Sequence, residues 1–393
     1  MKHRYLAELI ANDLSNKMVF ISGARQVGKT SMGMDIARRY FKHSDYLNWD
    51  ARDDRKRFLE GAFAGDAKLI MLDEIHKYAD WKNHVKGLFD KHKDDFSILV
   101  TGSARLDIYR RGGDSLMGRY YAYRLHPFSL TELLGRSTPA ITPPEELRFP
   151  DASRESSEAL QSLMRLGGFP EPLLSQSQRE LRRWQNQRVD RLVREDIRDV
   201  ESIRSISQLQ LLVDSLPVRV GSLLSINALR EDLSVAHKTA AHWLDVLERF
   251  YYHFRIFPFG GSRIRSLKKN PKLYLWDWSE VPDNGGARLE NLIASHLLKL
   301  CHYLLDVDGR KTELHFLRDN DGREVDFLVT EAGRPWFAVE VKSSASEAFR
   351  HLNYFGERLQ IPGLYQVVGE SGVDQIRGNI RTISADKFLL SLP

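Results

Sequence analysis

The sequence predicts an α/β protein that opens on a parallel sheet and carries further helical and α/β regions behind it. Three observations predict this. Short apolar runs alternate with helical stretches over the first 130 residues, a glycine-bounded loop joins the first run to a helix, and the alternation returns over 288–393 after a helical middle. A chain of 393 residues is longer than one hydrophobic core usually organises, so two or three domains are expected.

The runs come in order at Met18 to Ile21, Tyr46 to Asn48, Leu69 to Leu72, Ile98 to Thr101 and Tyr120 to Leu125, a spacing that suits successive βα units. Between Ser137 and Ser157 the composition shifts to Pro, Ser, Thr and Glu, with Pro139, Pro143, Pro144 and Pro150, which reads as an exposed linker or insertion. From about Leu160 to Leu216 the pattern is helical, broken once by Gly167-Gly168-Phe169-Pro170. Residues 222–258 give two short helices and an aromatic strand.

Composition narrows the function classes. Hydrophobic content of 42% and charged content of 28% belong to a folding globular chain. The single cysteine, Cys301, excludes an internal disulfide and argues against a Cys-based zinc site, so a reducing compartment, the cytoplasm, is expected. No run approaches the roughly 18 apolar residues that span a bilayer, and Glu8, Asn12 and Asp13 interrupt what would otherwise resemble a signal peptide core, so no membrane partner is expected. A formal charge of +5 and a sequence pI near 9.1 permit nucleic-acid binding without requiring it.

The loop Gly23-Ala24-Arg25-Gln26-Val27-Gly28-Lys29-Thr30 carries the sharpest chemistry. Glycines at both ends let the backbone fold round phosphates with its N–H groups inward, Lys29 can reach β- and γ-phosphates, and Thr30 would hold Mg²⁺. The loop follows a strand and opens a helix, the setting this mechanism demands. A nucleoside triphosphate, ATP with Mg²⁺, is therefore the expected ligand, bound by Gly23 to Thr30 together with Ser31. At the end of the run Leu69 to Leu72, Asp73 would serve the Mg²⁺ shell and Glu74 would polarise the attacking water. Ser103, after Ile98 to Thr101, would sense the γ-phosphate. Arg105 and Arg119 read either as surface charges or as arginine fingers on the phosphates of the same or a neighbouring subunit, which would make the protein a homo-oligomer.

With these segments in view, the chain resembles the bacterial and archaeal AAA+ P-loop ATPases that carry a C-terminal domain of unknown function related to PD-(D/E)XK nucleases. The matching segments are Ile21 to Thr30, Leu72 to Lys77, Thr101 to Ser103, Gly118-Arg119, His126 to Phe128 and Gly167 to Pro170. The resemblance implies an AAA+ core over 1–158, a helical lid over 159–215, a winged helix-turn-helix over 216–280 and an α/β restriction-endonuclease-like domain over 281–393.

In the middle region, Ser225 to Leu229, then Leu233-Ser234-Val235 and a helix through Trp243, Leu244 and Leu247 fit helix-turn-helix spacing, with Ser234 expected to cap the second helix. Gly260 to Lys272 holds Arg263, Arg265, Lys268, Lys269 and Lys272 without an acidic residue and reads as a basic wing along DNA phosphates. A protein-contacting wing is the competing reading.

Toward the C-terminus, Glu340 and Lys342 share one face of the apolar run Trp336 to Lys342, and a hairpin from Glu324 to Val329 would bring Asp326 near Glu340. Paired carboxylates of this kind can hold Mg²⁺, and an adjacent lysine can orient or deprotonate water. By resemblance, Asp326 and Glu340 would be metal ligands, Lys342 the base or orienter, and Glu290 an accessory ligand, with Mn²⁺ an alternative to Mg²⁺ there. The leading expectation is an ATP-hydrolysing protein acting on DNA with a metal-dependent nuclease-like end. The alternative is a nucleotide-gated DNA- or protein-binding switch whose nuclease-like domain is silent. A DExH-type helicase, suggested by Asp73 to His76, would need a second motor lobe for which the sequence offers no segment.

Overall fold

The computed structural model describes residues 2–102, 116–197, 205–260, 269–283, 286–345 and 349–393. The chain divides into two units, Met1–Pro127 with Arg249–Tyr251, and Phe128–Glu248 with Tyr252–Pro393.

The first unit is an α/β layer. Its strands are β1 (Met18–Gly23), β2 (Ser44–Asn48), β3 (Leu69–Asp73), β4 (Ser97–Thr101) and β5 (Tyr120–Leu125), all parallel, in the order β2-β3-β4-β1-β5. β1 and β3 are buried along their whole length, which is why both read as unbroken apolar runs: strands covered on both faces have no solvent side to make polar. The covering helices are α1 (Ala7–Asp13), α2 (Lys29–Tyr40), α3 (Arg52–Glu60) and α4 (Trp81–His92). Phe20, Leu72 and Val100 from the sheet pack in one core with Trp81 and Val85 of α4 and Phe58 of α3.

The second unit begins with helices: α5 (Leu130–Leu133), α6 (Arg154–Leu166), α7 (Pro170–Ser175), α8 (Gln178–Arg191), α9 (Ile206–Ser215), α10 (Ile226–Leu233) and α11 (His237–Arg249). A capping box starts α6, where Ser153 and Ser156 exchange side-chain and backbone bonds. The Gly167-Gly168-Phe169-Pro170 break ends α6 for a steric reason. Gly167 has φ +74°, and a Cβ there would stand 2.5 Å from Asp277 Oδ1. Phe169 is buried under the guanidinium of Arg188 at 4.5 Å, which also pairs with Glu280 at 2.9 Å.

Eight strands follow: β6 (His253–Pro258), β7 (Lys272–Leu275), β8 (Thr312–Arg318), β9 (Glu324–Glu331), β10 (Arg334–Lys342), β11 (Gly363–Val368), β12 (Asp374–Arg377) and β13 (Ile380–Ser384). They form one sheet in the order β12-β13-β11-β10-β9-β8-β6-β7. The long helix α12 (Ala287–Asp308), with α13 (Arg350–Leu359) and α14 (Ala385–Leu389), completes the unit. The strands expected in the winged-helix region thus continue the C-terminal sheet, because Phe257 and Pro258 of β6 pair with His315 and Phe316 of β8.

Two local expectations are corrected. Ser234 does not cap the second helix of the helix-turn-helix. It ends α10 with φ +53°, its N–H donating to Glu231, while Ser225 caps α10 by accepting from the Ala228 N–H at 3.2 Å. Lys272 does not line an exposed wing. It is 3% exposed within β7. Arg263, Arg265 and Lys268 lie outside the described residues, and Lys269 is exposed.

Candidate functional site

The loop Gly23 to Thr30 leaves the end of β1, which lies between β4 and β5 in the sheet, and enters α2. Its conformation explains its glycines. Gly23 has φ +150°, and a Cβ would stand 2.5 Å from the Leu125 carbonyl oxygen. Gly28 precedes α2 with φ +99°, and Gln26 also takes a positive φ of 63°. The Lys29 ammonium folds back to donate to the carbonyls of Gly23 at 3.0 Å and Ala24 at 2.8 Å, which places it in the concavity of the loop.

Asp73 organises the floor. Its Oδ2 accepts from Thr30 Oγ1 at 2.8 Å and from the Tyr46 hydroxyl at 3.0 Å, and its Oδ1 accepts from Thr101 Oγ1 at 2.5 Å. One carboxylate therefore ties the start of α2 to the middle of β2 and the end of β4. Burial, and then the negative charge of Asp73, hold the Tyr46 phenol far above its usual range, so it stays a donor.

Glu74 stands beside this network with φ +57°, uncommon for a residue with a side chain. Its N–H donates to the Thr101 carbonyl at 3.0 Å. Burial raises its carboxyl above the ordinary glutamate range, partly offset by the charges of Lys29 and Lys77. Lys77 Nζ lies 3.5 Å from Glu74 and 2.6 Å from Asp50. A carboxylate with raised proton affinity beside this hydroxyl-carboxylate floor is suited to orient water.

Arg4 was not singled out in the sequence. It is 5% exposed, and its guanidinium donates to the Val27 carbonyl at 2.8 Å and to the His126 carbonyl. It thereby holds the outer arm of the loop from outside the motif.

The remaining expected residues fall elsewhere. Ser103 and Arg105 lie outside the described residues. Arg119 precedes β5, whose Tyr120 pairs with Met18 and whose Leu125 pairs with Gly23. It thus stands at the opposite edge of the sheet from the loop, a strand length of roughly 20 Å away, and grips Asp90 through two bonds of 2.7 and 3.1 Å. That position argues against a finger on the phosphates of the same subunit and leaves the surface-charge and neighbouring-subunit readings. Arg25 and Ser31 sit on the loop and the first turn of α2.

In the second unit, β9 and β10 form the expected antiparallel pair, with Phe327 opposite Val339. Asp326 Oδ2 accepts from the Val341 N–H at 2.9 Å, and Lys342 Nζ lies 2.9 Å from Glu340 Oε1. Glu340 Oε2 is buried without a hydrogen-bond partner among the described residues. Burial, reinforced by the Asp326 charge and opposed by Lys272, pushes Glu290 up to about 7. The group at the centre is one the sequence assigned elsewhere. The Lys272 ammonium lies 2.6 Å from Glu324, 3.5 Å from Asp326 and 3.6 Å from Glu290. Among the described residues, no three His, Cys, Asp or Glu side chains are grouped to hold a metal ion.

Residues 15–134 match the family model of an AAA domain. Residues 157–279 and 285–388 match two domains of unknown function, DUF8612 and DUF4143. An uncharacterised protein of Methanocaldococcus jannaschii is 24% identical over 336 residues, covering 80% of this chain and 73% of its own. One of Mycobacterium tuberculosis is 22% identical over 347 residues, covering 84% of this chain and 71% of its own. Among solved structures, the Aeropyrum pernix Orc1 protein in complex with DNA is 13% identical with a TM-score of 0.34, covering 75% of this chain and 92% of its own. The Thermotoga maritima RuvB Holliday junction branch migration motor is 15% identical with a TM-score of 0.30, covering 63% of this chain and 87% of its own. Among the described residues, no helix is long and apolar enough to cross a membrane.

Proposed function

We propose that the AAA domain binds ATP with Mg²⁺ and hydrolyses it, and that nucleotide state governs the binding of DNA by the second unit. The observation that carries the nucleotide reading is the joining of Thr30 to Asp73 at 2.8 Å with Glu74 next in sequence at the same sheet edge. A hydroxyl and a carboxylate so placed suit Mg²⁺, which takes few protein ligands and completes its shell with phosphate and water. Lys29 would leave the carbonyls of Gly23 and Ala24 for the β- and γ-phosphates. The backbone N–H groups of the loop would cradle the phosphates, and Glu74 would orient the water for in-line attack. A neighbouring copy would supply Arg119 or another arginine.

In this reading residues 159–215 act as the lid and 216–280 as the winged helix-turn-helix, with α10 and α11 as its helices and the basic segment 263–269 as the phosphate contact. The AAA domain and the DNA-facing role are separable, since a winged helix also serves as a protein contact. Residues 281–393 carry Asp326, Glu340 and Lys342 on the paired strands β9 and β10, but Mg²⁺ or Mn²⁺ there would have to compete with the present partners of Asp326 and Glu290. The reading therefore assigns this domain binding rather than cutting.

The test is steady-state ATP turnover by the full chain with and without Mg²⁺, beside Lys29→Ala. Metal-dependent turnover that Lys29→Ala abolishes is expected. Turnover that survives Lys29→Ala overturns the assignment of the site.

A further inference from the structure

We infer that the carboxylate cluster of the second unit carries its own cation: the Lys272 ammonium stands where a divalent ion would have to sit, and the cluster binds neither Mg²⁺ nor Mn²⁺. The inference concerns the second unit alone and does not depend on the nucleotide reading.

Most of the oxygens that a metal would need are engaged. Asp326 presents Oδ1 to Lys272 and Oδ2 to the Val341 N–H. Glu290 Oε1 accepts from the Tyr274 hydroxyl at 2.7 Å and faces Lys272 at 3.6 Å. Glu324 divides its oxygens between Lys272 at 2.6 Å and Arg318 Nη1 at 2.6 Å. Glu340 engages Lys342 through Oε1, so the Oε2 atoms of Glu340 and Glu290 are the two oxygens of these four carboxylates without a described partner. Two unengaged oxygens on separate carboxylates, with no three acids grouped to hold a metal ion among the described residues, fall short of a hard divalent ion's need for several oxygen ligands converging at 2.0 to about 2.6 Å.

Lys272 is held there by the fold. β7 pairs antiparallel with β6, placing Lys272 opposite Ile256, and the side chain is buried beside the ring of Phe316, whose centroid is 5.7 Å from Nζ. Gly221 closes the far side. Its φ is +75°, and a Cβ there would approach Glu290 Oε1 to 3.1 Å. The buried side chain brings its ammonium to three carboxylates, the geometry in which a buried lysine stays charged. An ammonium neutralises the acids but cannot act as a Lewis acid or lower the pKa of a bound water as a metal does. The cluster therefore ties β7, near the end of the proposed winged-helix region, to β9 and α12.

The experiment is a Mn²⁺ titration of the nucleotide-free full chain, read by loss of the free-ion electron paramagnetic resonance signal, in wild type, Asp326→Asn, Lys272→Met and the Lys272→Met/Asp326→Asn double variant. Expected are equal Mn²⁺ occupancies in wild type and Asp326→Asn, and one additional site in Lys272→Met, at least tenfold tighter than any wild-type binding and lost in the double variant. A wild-type site that Asp326→Asn removes overturns the inference, and so does a folded Lys272→Met that gains no site. Should Lys272→Met not fold, the comparison of wild type with Asp326→Asn decides alone.

Discussion

Thr30 Oγ1 donates to Asp73 Oδ2 across 2.8 Å, so the first turn of α2 and the end of β3 meet at one carboxylate. Thr101 and Tyr46 complete the same carboxylate. Glu74 stands at the next position, and in the proposed function Thr30 and Asp73 hold the ion while Glu74 orients the water. Asp73→Ala is expected to raise the Mg²⁺ concentration needed for half-maximal turnover at least tenfold. Glu74→Gln is expected to leave ATP affinity within about threefold and lower kcat by roughly 10²–10⁴, the usual worth of positioned acid–base help. Calorimetric titration with a slowly hydrolysed ATP analogue, beside turnover assays, checks both. Equal loss of affinity and turnover in Glu74→Gln would place Glu74 among the binding groups instead.

Arg4 gives a second prediction, because it holds the Val27 and His126 carbonyls in a buried setting. Arg4→Met leaves both carbonyls without this donor, at a cost of roughly 1–3 kcal/mol. The melting temperature should fall and, measured well below it, the Kd for ATP should rise several-fold, with Arg4→Lys recovering part of the affinity. A variant that melts earlier but binds ATP as wild type does would limit Arg4 to a structural role.

These two cases mark what could be read from sequence. The strand, loop and helix from Met18 to Tyr40 were legible because a fully buried strand is an unbroken apolar run and the loop glycines answer to a local steric need. Asp73 and Glu74 were legible because they terminate such a run. Tyr46 and Arg4 were not, since each acts through a partner distant in sequence, and an arginine near a terminus looks like any surface charge. Lys272 misled for a related reason: its sequence neighbours are basic, while the acids it meets, Glu290, Glu324 and Asp326, arrive through strand pairing and α12. Ser234 misled because the residue that ends one helix and the residue that starts the next are only a few positions apart.

The wing yields a third prediction that uses this contrast. Charge reversal at Arg263, Arg265, Lys268 and Lys269 together should weaken DNA binding and flatten its dependence on salt, by about 0.9 in log–log slope for each duplex phosphate that is no longer neutralised. Lys272→Glu should act differently. It places a fourth acid in a buried group of three, so it should lower the melting temperature sharply while any folded fraction keeps the wild-type salt slope. Fluorescence anisotropy over a salt series separates the two. An unchanged slope in the fourfold reversal would move the DNA-binding surface away from the wing.

The buried histidines of the second unit set its acid stability. His296 Nδ1 lies 2.8 Å from the Leu292 carbonyl, which can only accept, so Nδ1 carries the hydrogen of the neutral ring and Nε2 keeps a lone pair that meets no hydrogen-bond partner. Burial, with Lys299 adding to it against Glu132, lowers its pKa to about 4. His253, similarly enclosed, is also lowered to about 4. With the unfolded value near 6.5, the unfolded chain binds more protons between pH 6.5 and 4. The stability that rests on a neutral His296 is thus present above pH 6.5 and lost as pH falls toward 4, up to about 3 kcal/mol for the full shift. Glu280, raised to about 7 by burial, works in the opposite direction between its unfolded value and 7, but it does so equally in wild type and in a variant of His296. Denaturant melts at pH 7 and pH 5 should therefore show His296→Leu losing less stability on acidification than wild type. An identical loss in the two proteins would mean that His296 titrates alike folded and unfolded.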